Sequence, residues 1–222
     1  MDYNWNFASV FAYWNVLAVG LKGTIKLFII CSILGLGGGL IMGMLRYAKS
    51  RWISYPAMLY VEVFRNTPVL VQIIWFFFAL PVLTGVEVSP VMAAVLGITL
   101  NTIAFSAEVF RGGIQSIERE QWDAGKAIGM SYVQSMRRVI LPQALKRMLP
   151  PLTSRGIEVF KMTTLATVVA YPETLQQAKL IASYEYNPIE TYTVVALMFF
   201  VVLFPLVQLT YILERRFEKS DA

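Results

Sequence analysis

Two stretches of this chain, residues 27–45 and 191–213, contain no charged residue. Runs of that length approach the ~20 apolar residues that cross the hydrocarbon core of a bilayer. A chain carrying two of them has few ways to fold in water. Composition closes the remaining route: hydrophobic residues make up 57% and charged residues 15%, against roughly 45–50% and about 25% in ordinary globular chains. Disorder is excluded as well, because it requires low hydrophobicity. The reading is an all-α integral membrane protein.

The residues that are missing narrow its chemistry. The chain has no histidine, which removes imidazole general bases, Ser-His-Asp and Cys-His nucleophile arrangements, and histidine metal sites. Its one cysteine, Cys31, cannot form an intrachain disulfide. No catalytic residue and no metal site is expected, and no carboxylate cluster has metal-ligand spacing.

Between the two uncharged runs lie three further apolar stretches, residues 56–83, 91–107 and roughly 148–171, each interrupted by polar groups. Five spans are expected. Basic residues favour the cytoplasmic side. Arg46, Lys49 and Arg51 follow the first run, seven Lys and Arg lie from Arg111 to Arg147, and Arg215, Arg216 and Lys219 follow the last run. An outer N-terminus and a cytoplasmic C-terminus put all of them inside. The net charge of +5 then reflects topology rather than nucleic-acid binding. Met1, Asp2 and Tyr3 lack the basic start of a signal peptide, so the first run is expected to stay as a span. Residues 7–20, with Phe7, Phe11, Tyr13 and Trp14, are expected to lie along the outer interface. Gly35, Gly39 and Gly43 repeat every four residues and predict a close helix contact, within the chain rather than at a dimer seam. Pro68 and Pro205 are expected to kink their helices.

The long polar segment 112–147 looks built, since loops of that length without a purpose are uncommon. Residues 117–128 read as a short helix with Gly129 in the left-handed position past its end. Ser131 and Gln134 form a capping box for a second helix, with Tyr132, Met136, Val139 and Ile140 on one face, which Pro142 is expected to close. Two short helices at a fixed elbow and a pair floating on the bilayer surface both fit this pattern.

Asp123-Ala124-Gly125, three residues, Gly129, nine residues, then Val139-Ile140-Leu141-Pro142 resembles the EAA loop of ABC importer permeases. The family pattern is Glu-Ala-Ala, three residues, Gly, nine residues, Ile, one residue, Leu-Pro. Asp123, Gly125 and Val139 depart from it mildly. The segments from Tyr60 through Glu62, Arg65, Asn66 and Pro68 to Gln72, and from Ala107 through Glu108 and Arg111 to Ile117, are similar to the segments that mark polar amino acid permeases. The resemblance covers roughly residues 15–217. It implies a type I ABC importer subunit of the MetI-like fold, with residues 1–19 as an outer segment, 20–213 as the ABC transmembrane type-1 domain and 214–222 as a cytoplasmic tail. It further implies ABC ATPase subunits that bind ATP and Mg and receive the coupling loop, a second permease subunit (identical or homologous), a periplasmic solute-binding protein, and the bacterial inner membrane. The sequence agrees from its own side, because it contains no Gly-x4-Gly-Lys-Ser/Thr phosphate loop. A stand-alone channel or secondary transporter is the opposing expectation.

Charges at membrane depth need partners. Glu62 with Arg65, and Glu108 with Arg111, stand three apart and are expected to form helix ion pairs near an inner gate. Arg155, Glu158 and Lys161 share one helix face that must look into protein or a wet cavity. Where this chain has Arg155 and Met162, family members commonly carry Glu and Asp. An arginine in a path can hold a substrate carboxylate in bidentate geometry, which points to glutamate or aspartate; glutamine is the alternative substrate. The competing reading has Glu158 neutralise Arg155. Thr163, Thr164 and Asn101 are candidates to line the same path or to bond helix carbonyls.

Overall fold

Asn6 accepts a hydrogen bond from the backbone N–H of Ser9 and opens a short helix, α1 (Phe7–Ala12). The computed structural model describes residues 4–218; Met1–Tyr3 and residues 219–222, with the expected signal-peptide test and the end of the tail, lie outside them. After Tyr13 the chain enters α2 (Trp14–Tyr47), 34 residues without a break. Residues 14–20 of the expected interfacial segment thus belong to the same continuous helix as the first uncharged run, because no proline interrupts residues 14–47. At 1.5 Å per residue it is roughly 50 Å long, well beyond a ~30 Å hydrocarbon core.

The stretch expected as the second span is broken. Helix α3 (Arg51–Asn66) ends at Asn66, and α4 (Val69–Ile74) leaves at 102° after Pro68. A π-helical turn, Trp75–Ala79, leads into α5 (Leu80–Thr84), which ends on Gly85 at φ +71. Helix α6 (Pro90–Gln115) is capped by the Ser89 hydroxyl, which accepts from the Met92 N–H. There follow α7 (Arg119–Ala127), α8 (Tyr132–Ser135), a π turn Met136–Ile140, α9 (Leu141–Met162), a 3₁₀ segment Thr163–Val169, α10 (Thr174–Glu185) and α11 (Pro188–Glu218). Pro205 does not interrupt α11, which also runs past the expected boundary at residue 213.

Among the described residues three helices are long and apolar enough to cross a membrane: α2, α6 and residues 188–212 of α11; the bent α3–α4–α5 unit is a fourth if counted as one span. The expected fourth span differs. It begins upstream as α9 and tightens into the 3₁₀ segment, which ends on Ala170 at φ +54. The Thr163 and Thr164 hydroxyls donate to the carbonyls of Phe160 (2.7 Å) and Lys161 (2.8 Å), three residues back. Such bonds occupy the carbonyls an α-helix would use and favour the tighter turn.

Helix α6 is the centre, packing along α2 and touching α3, α4 and α9. The glycine repeat makes the first of these contacts. A Cβ at Gly39 would stand 2.5 Å from Ser106 Cβ, and one at Gly43 would stand 2.9 Å from the Ala107 carbonyl oxygen and Phe110 Cβ. The repeat therefore serves packing within the chain, as expected. One core gathers Leu27, Cys31, Ile73, Ala94, Ile98, Val159 and Ala166 from both sides of α6. A second joins Phe110, Ile114 and Ile117 to Ile140, Ala144 and Met148, and so ties the polar loop to the membrane helices.

Just past the expected fourth span, Glu173 is fully buried and caps α10, its two oxygens accepting from the N–H groups of Gln176 (2.7 Å) and Leu175 (2.8 Å). Burial pushes its carboxyl up to about 7 against the opposing effect of those two N–H groups. A raised acid favours folding below its ordinary value, near 4.5, and loses that contribution as pH rises through 7. We expect thermal stability of the detergent-solubilised protein to fall between pH 5 and pH 8, with a flatter profile for Glu173→Gln; equal slopes would show that Glu173 does not carry the dependence.

Candidate functional site

The polar loop folds as the elbow that the local sequence predicts. Gly129 sits at φ +76 and its N–H donates to the Lys126 carbonyl (2.9 Å), while the Met130 N–H donates to the Gly125 carbonyl (3.0 Å). These two bonds form a Schellman motif, which closes α7 with glycine where a side chain would be strained. Ser131 Oγ then accepts from the Gln134 N–H (3.3 Å), and Gln134 Oε1 from the Ser131 N–H (2.9 Å). Gly125, the departure from the family's alanine, is buried where the two helices meet. A Cβ there would stand 2.7 Å from Ser135 Oγ. Trp122 stacks on Tyr132 across the angle, ring centres 5.5 Å apart. Asp123 and Ala124 are exposed, as are Ile128 and Val133. Asp123 pairs with Lys126 at 2.8 Å, and that bond holds its carboxyl below the usual range.

Pro142 does not close the second helix. It lies in the first turn of α9, with Leu141 half-buried, and the chain passes through it as helix. The π turn before it explains this: the Leu141 N–H bonds to the Met136 carbonyl five residues back, widening the helix where the proline ring would strike a carbonyl. Pro81 follows the π turn Trp75–Ala79 in the same way, with the Leu80 N–H on the Trp75 carbonyl.

At one end of the helices Glu108 collects arginines from three elements. Arg111, one turn along α6, donates Nε to Oε1 (3.1 Å) and Nη2 to Oε2 (2.8 Å); Arg46 of α2 donates Nη1 to Oε1; Arg65 of α3 stands 3.7 Å away. The expected Glu108–Arg111 pair is present. Among the described residues Glu62 and Arg65 do not pair with each other: Glu62 instead stands 3.7 Å from Arg46 and accepts from Asn66 Nδ2 at 3.0 Å. The more buried carboxylate on the neighbouring helix draws Arg65 away from its own. Sequence reasoning missed Arg46, whose place after an uncharged span read only as topology.

The break after α3 leaves carbonyls without helical partners, and polar side chains take them up. Asn66 Nδ2 donates to Glu62 O (2.8 Å), Thr67 Oγ1 to Val63 O (2.7 Å), and Gln72 Nε2 to Phe64 O (3.0 Å) and Thr67 O (2.9 Å). Asn101 of α6 also donates to Phe64 O (2.8 Å) and accepts from Arg155 Nη2 (2.7 Å). Arg155 Nη1 donates to Glu158 Oε2 (2.7 Å), and its guanidinium lies 4.4 Å from the centre of the Phe105 ring. Arg155 is only 4% exposed, whereas the Glu158 side chain is 57% exposed. The structure therefore brings Asn101, Arg155 and Glu158 together beside the break, and Arg155 and Glu158 border a recess of about 420 Å³ with Phe105, Val109, Pro151 and Ser154. Lys161 is exposed one turn further on. Thr163 and Thr164 bond carbonyls, as described. Sequence reasoning missed Gln72 and Phe105, although Gln72 lies within the segment similar to polar amino acid permeases.

The chain matches the family described as binding-protein-dependent transport system inner membrane component over residues 35–219. It is 35% identical over 221 residues to the glutamine transport system permease protein GlnP of Escherichia coli K12, covering 97% of this chain and 98% of that one. A crystal structure of an amino acid ABC transporter with histidines superposes with a TM-score of 0.90 at 30% identity, covering 96% of this chain and all (100%) of the other. The MetNI methionine ABC transporter in inward facing conformations shares the fold alone, with a TM-score of 0.72 at 19% identity over 91% of this chain and 98% of the other. The chain thus belongs to the binding-protein-dependent transport inner membrane components, as an amino-acid ABC transporter permease of the MetI-like fold.

Proposed function

We propose that this permease imports a polar amino acid with no net side-chain charge, glutamine foremost, rather than glutamate or aspartate. The observation that carries this reading is the state of Arg155. Its Nη1 and Nη2 already donate to Glu158 and Asn101 and the guanidinium lies on the Phe105 face, leaving only the buried Nε without a hydrogen bond among the described residues. A substrate carboxylate in bidentate geometry would therefore have to displace a partner that a buried charge needs. The acidic reading drew on Arg155 as a free cation. Glutamine also fits the name of the E. coli relative.

In this account substrate passes beside the α3 break, where the exposed carboxylate of Glu158 and the ammonium of Lys161 suit the two charges of a zwitterion. The N-terminus lies outside and the C-terminus in the cytoplasm of a bacterial inner membrane. The elbow, through Asp123, Ala124 and the turn at Gly129, meets an ABC ATPase that supplies hydrolysis with ATP and Mg. A second permease subunit completes the path and a solute-binding protein loads it. Coupling is a shift between two packings of the helices, driven by differential contact with the ATPase pair.

Arg155→Gln tests the substrate assignment. We expect lower accumulation and melting temperature of the permease, with substrate preference unchanged in whatever complex survives. Full assembly with selective loss of glutamate or aspartate transport would restore the acidic reading.

A further inference from the structure

Beside the Glu108 cluster, α2, α3 and α6 enclose an open cleft of about 850 Å³ lined by Arg46, Arg51 and Arg111 with Trp52, Tyr55 and Met58. Its charge is not balanced from within. Across the cleft and the adjoining cluster, the four guanidinium groups of Arg46, Arg51, Arg65 and Arg111 face the two carboxylates of Glu62 and Glu108. Arg51 opens α3 and makes no ion pair among the described residues. Ser54 adds a hydroxyl to the wall.

The apolar part of the site extends away from this basic end. Trp52 is 93% exposed, and Tyr55, Leu59 and Val63 continue at helical spacing along the same exposed face of α3. A soluble anion would use the arginines and leave that strip bare. An amphipathic anion would use both, with its phosphate among the guanidinium groups and its chains along α3. Trp52 and Tyr55 sit between the two regions, as aromatic rings do at a membrane–water boundary. Basic pockets between membrane helices hold anionic head groups in the same manner.

We infer that this cleft is a binding site for the phosphate head group of an anionic phospholipid, with Arg51 as its uncommitted cation and the Trp52–Val63 face as the seat of an acyl chain. The lipid bridges α2, α3 and α6 at the point where the ion cluster also joins them, so it stabilises the same junction from the membrane side.

The test is native mass spectrometry of the complete transporter complex, released from vesicles of equal phosphatidylglycerol and phosphatidylcholine. Wild-type permease should retain phosphatidylglycerol in preference to phosphatidylcholine. Arg51→Gln should lower that retention about fivefold, the scale of one cation at an anionic surface. Ser54→Asp should lower it as well, and removing an exposed charge on α10 by Lys179→Gln should leave it unaltered. Equal retention of the two lipids, or wild-type retention in both cleft variants, overturns the inference. Displacement of the lipid by millimolar inorganic phosphate would reassign the cleft to a free anion. Cross-linking of two permease copies through Trp52→Cys would reassign it to a protein contact.

Discussion

Replacing Glu108 by glutamine is expected to destabilise the permease by about 1–3 kcal/mol, between the ~0–1 kcal/mol of exposed ion pairs and the ~3–5 kcal/mol of fully buried ones, because the cluster is only partly buried. Glu108 is the carboxylate on which Arg46, Arg65 and Arg111 converge. Without it three guanidinium groups face one another around Glu62 alone, at the junction of α2, α3 and α6. The expected outcome is loss of permease from membranes and a large drop in the melting temperature of what remains. Glu108→Asp should recover part of it. Adding Arg111→Gln to Glu108→Gln should also restore stability relative to the single variant, because it removes a cation that has lost its partner. Wild-type melting of Glu108→Gln would mean that the cluster is solvated and contributes little.

The second large effect is expected at the elbow. Gly129→Pro combines two faults: proline is fixed near φ −65 where the chain needs +76, and it lacks the N–H that bonds to the Lys126 carbonyl. The angle between α7 and α8 cannot survive both. The membrane helices meet this region through the Phe110–Met148 core, which does not include the Gly129 turn, so they should still assemble. We expect permease at normal abundance, transport reduced by at least tenfold, and loss of the ATPase on purification. Gly129→Asn, which tolerates the left-handed region, should keep most activity. Normal transport by Gly129→Pro would separate the elbow from coupling. Loss of the permease itself would assign the elbow to folding.

What could be read from the sequence was what is decided locally. The Gly129 turn and the Ser131–Gln134 box depend on residues within a few positions of each other, and both formed as expected. The glycine repeat in α2 was readable because only close approach of another helix explains it. What escaped was decided between helices. Glu62 and Arg65 have the right spacing for a pair, yet both spend their charge on α2 and α6. Arg155 and Glu158 did pair, but Asn101 and Phe105, which complete the cage, come from a helix about fifty positions earlier. Proline misled twice: Pro142 was absorbed by a π turn, and Pro68 produced a full 102° break rather than a kink. Neither outcome can be told from the proline itself: at Pro142 it depends on a backbone π turn, and at Pro68 on which carbonyls nearby side chains can satisfy. The full length of α2 escaped because aromatic residues near its start read as an interfacial segment, although nothing in residues 14–47 stops the helix.

The most direct test of the whole account is uptake by proteoliposomes that hold the complete complex and its binding protein, with amino acids scanned one at a time. The account predicts glutamine uptake that requires both ATP and the binding protein, with glutamate and aspartate carried poorly. Uptake that persists without ATP, or equal transport of glutamate and glutamine, would contradict it.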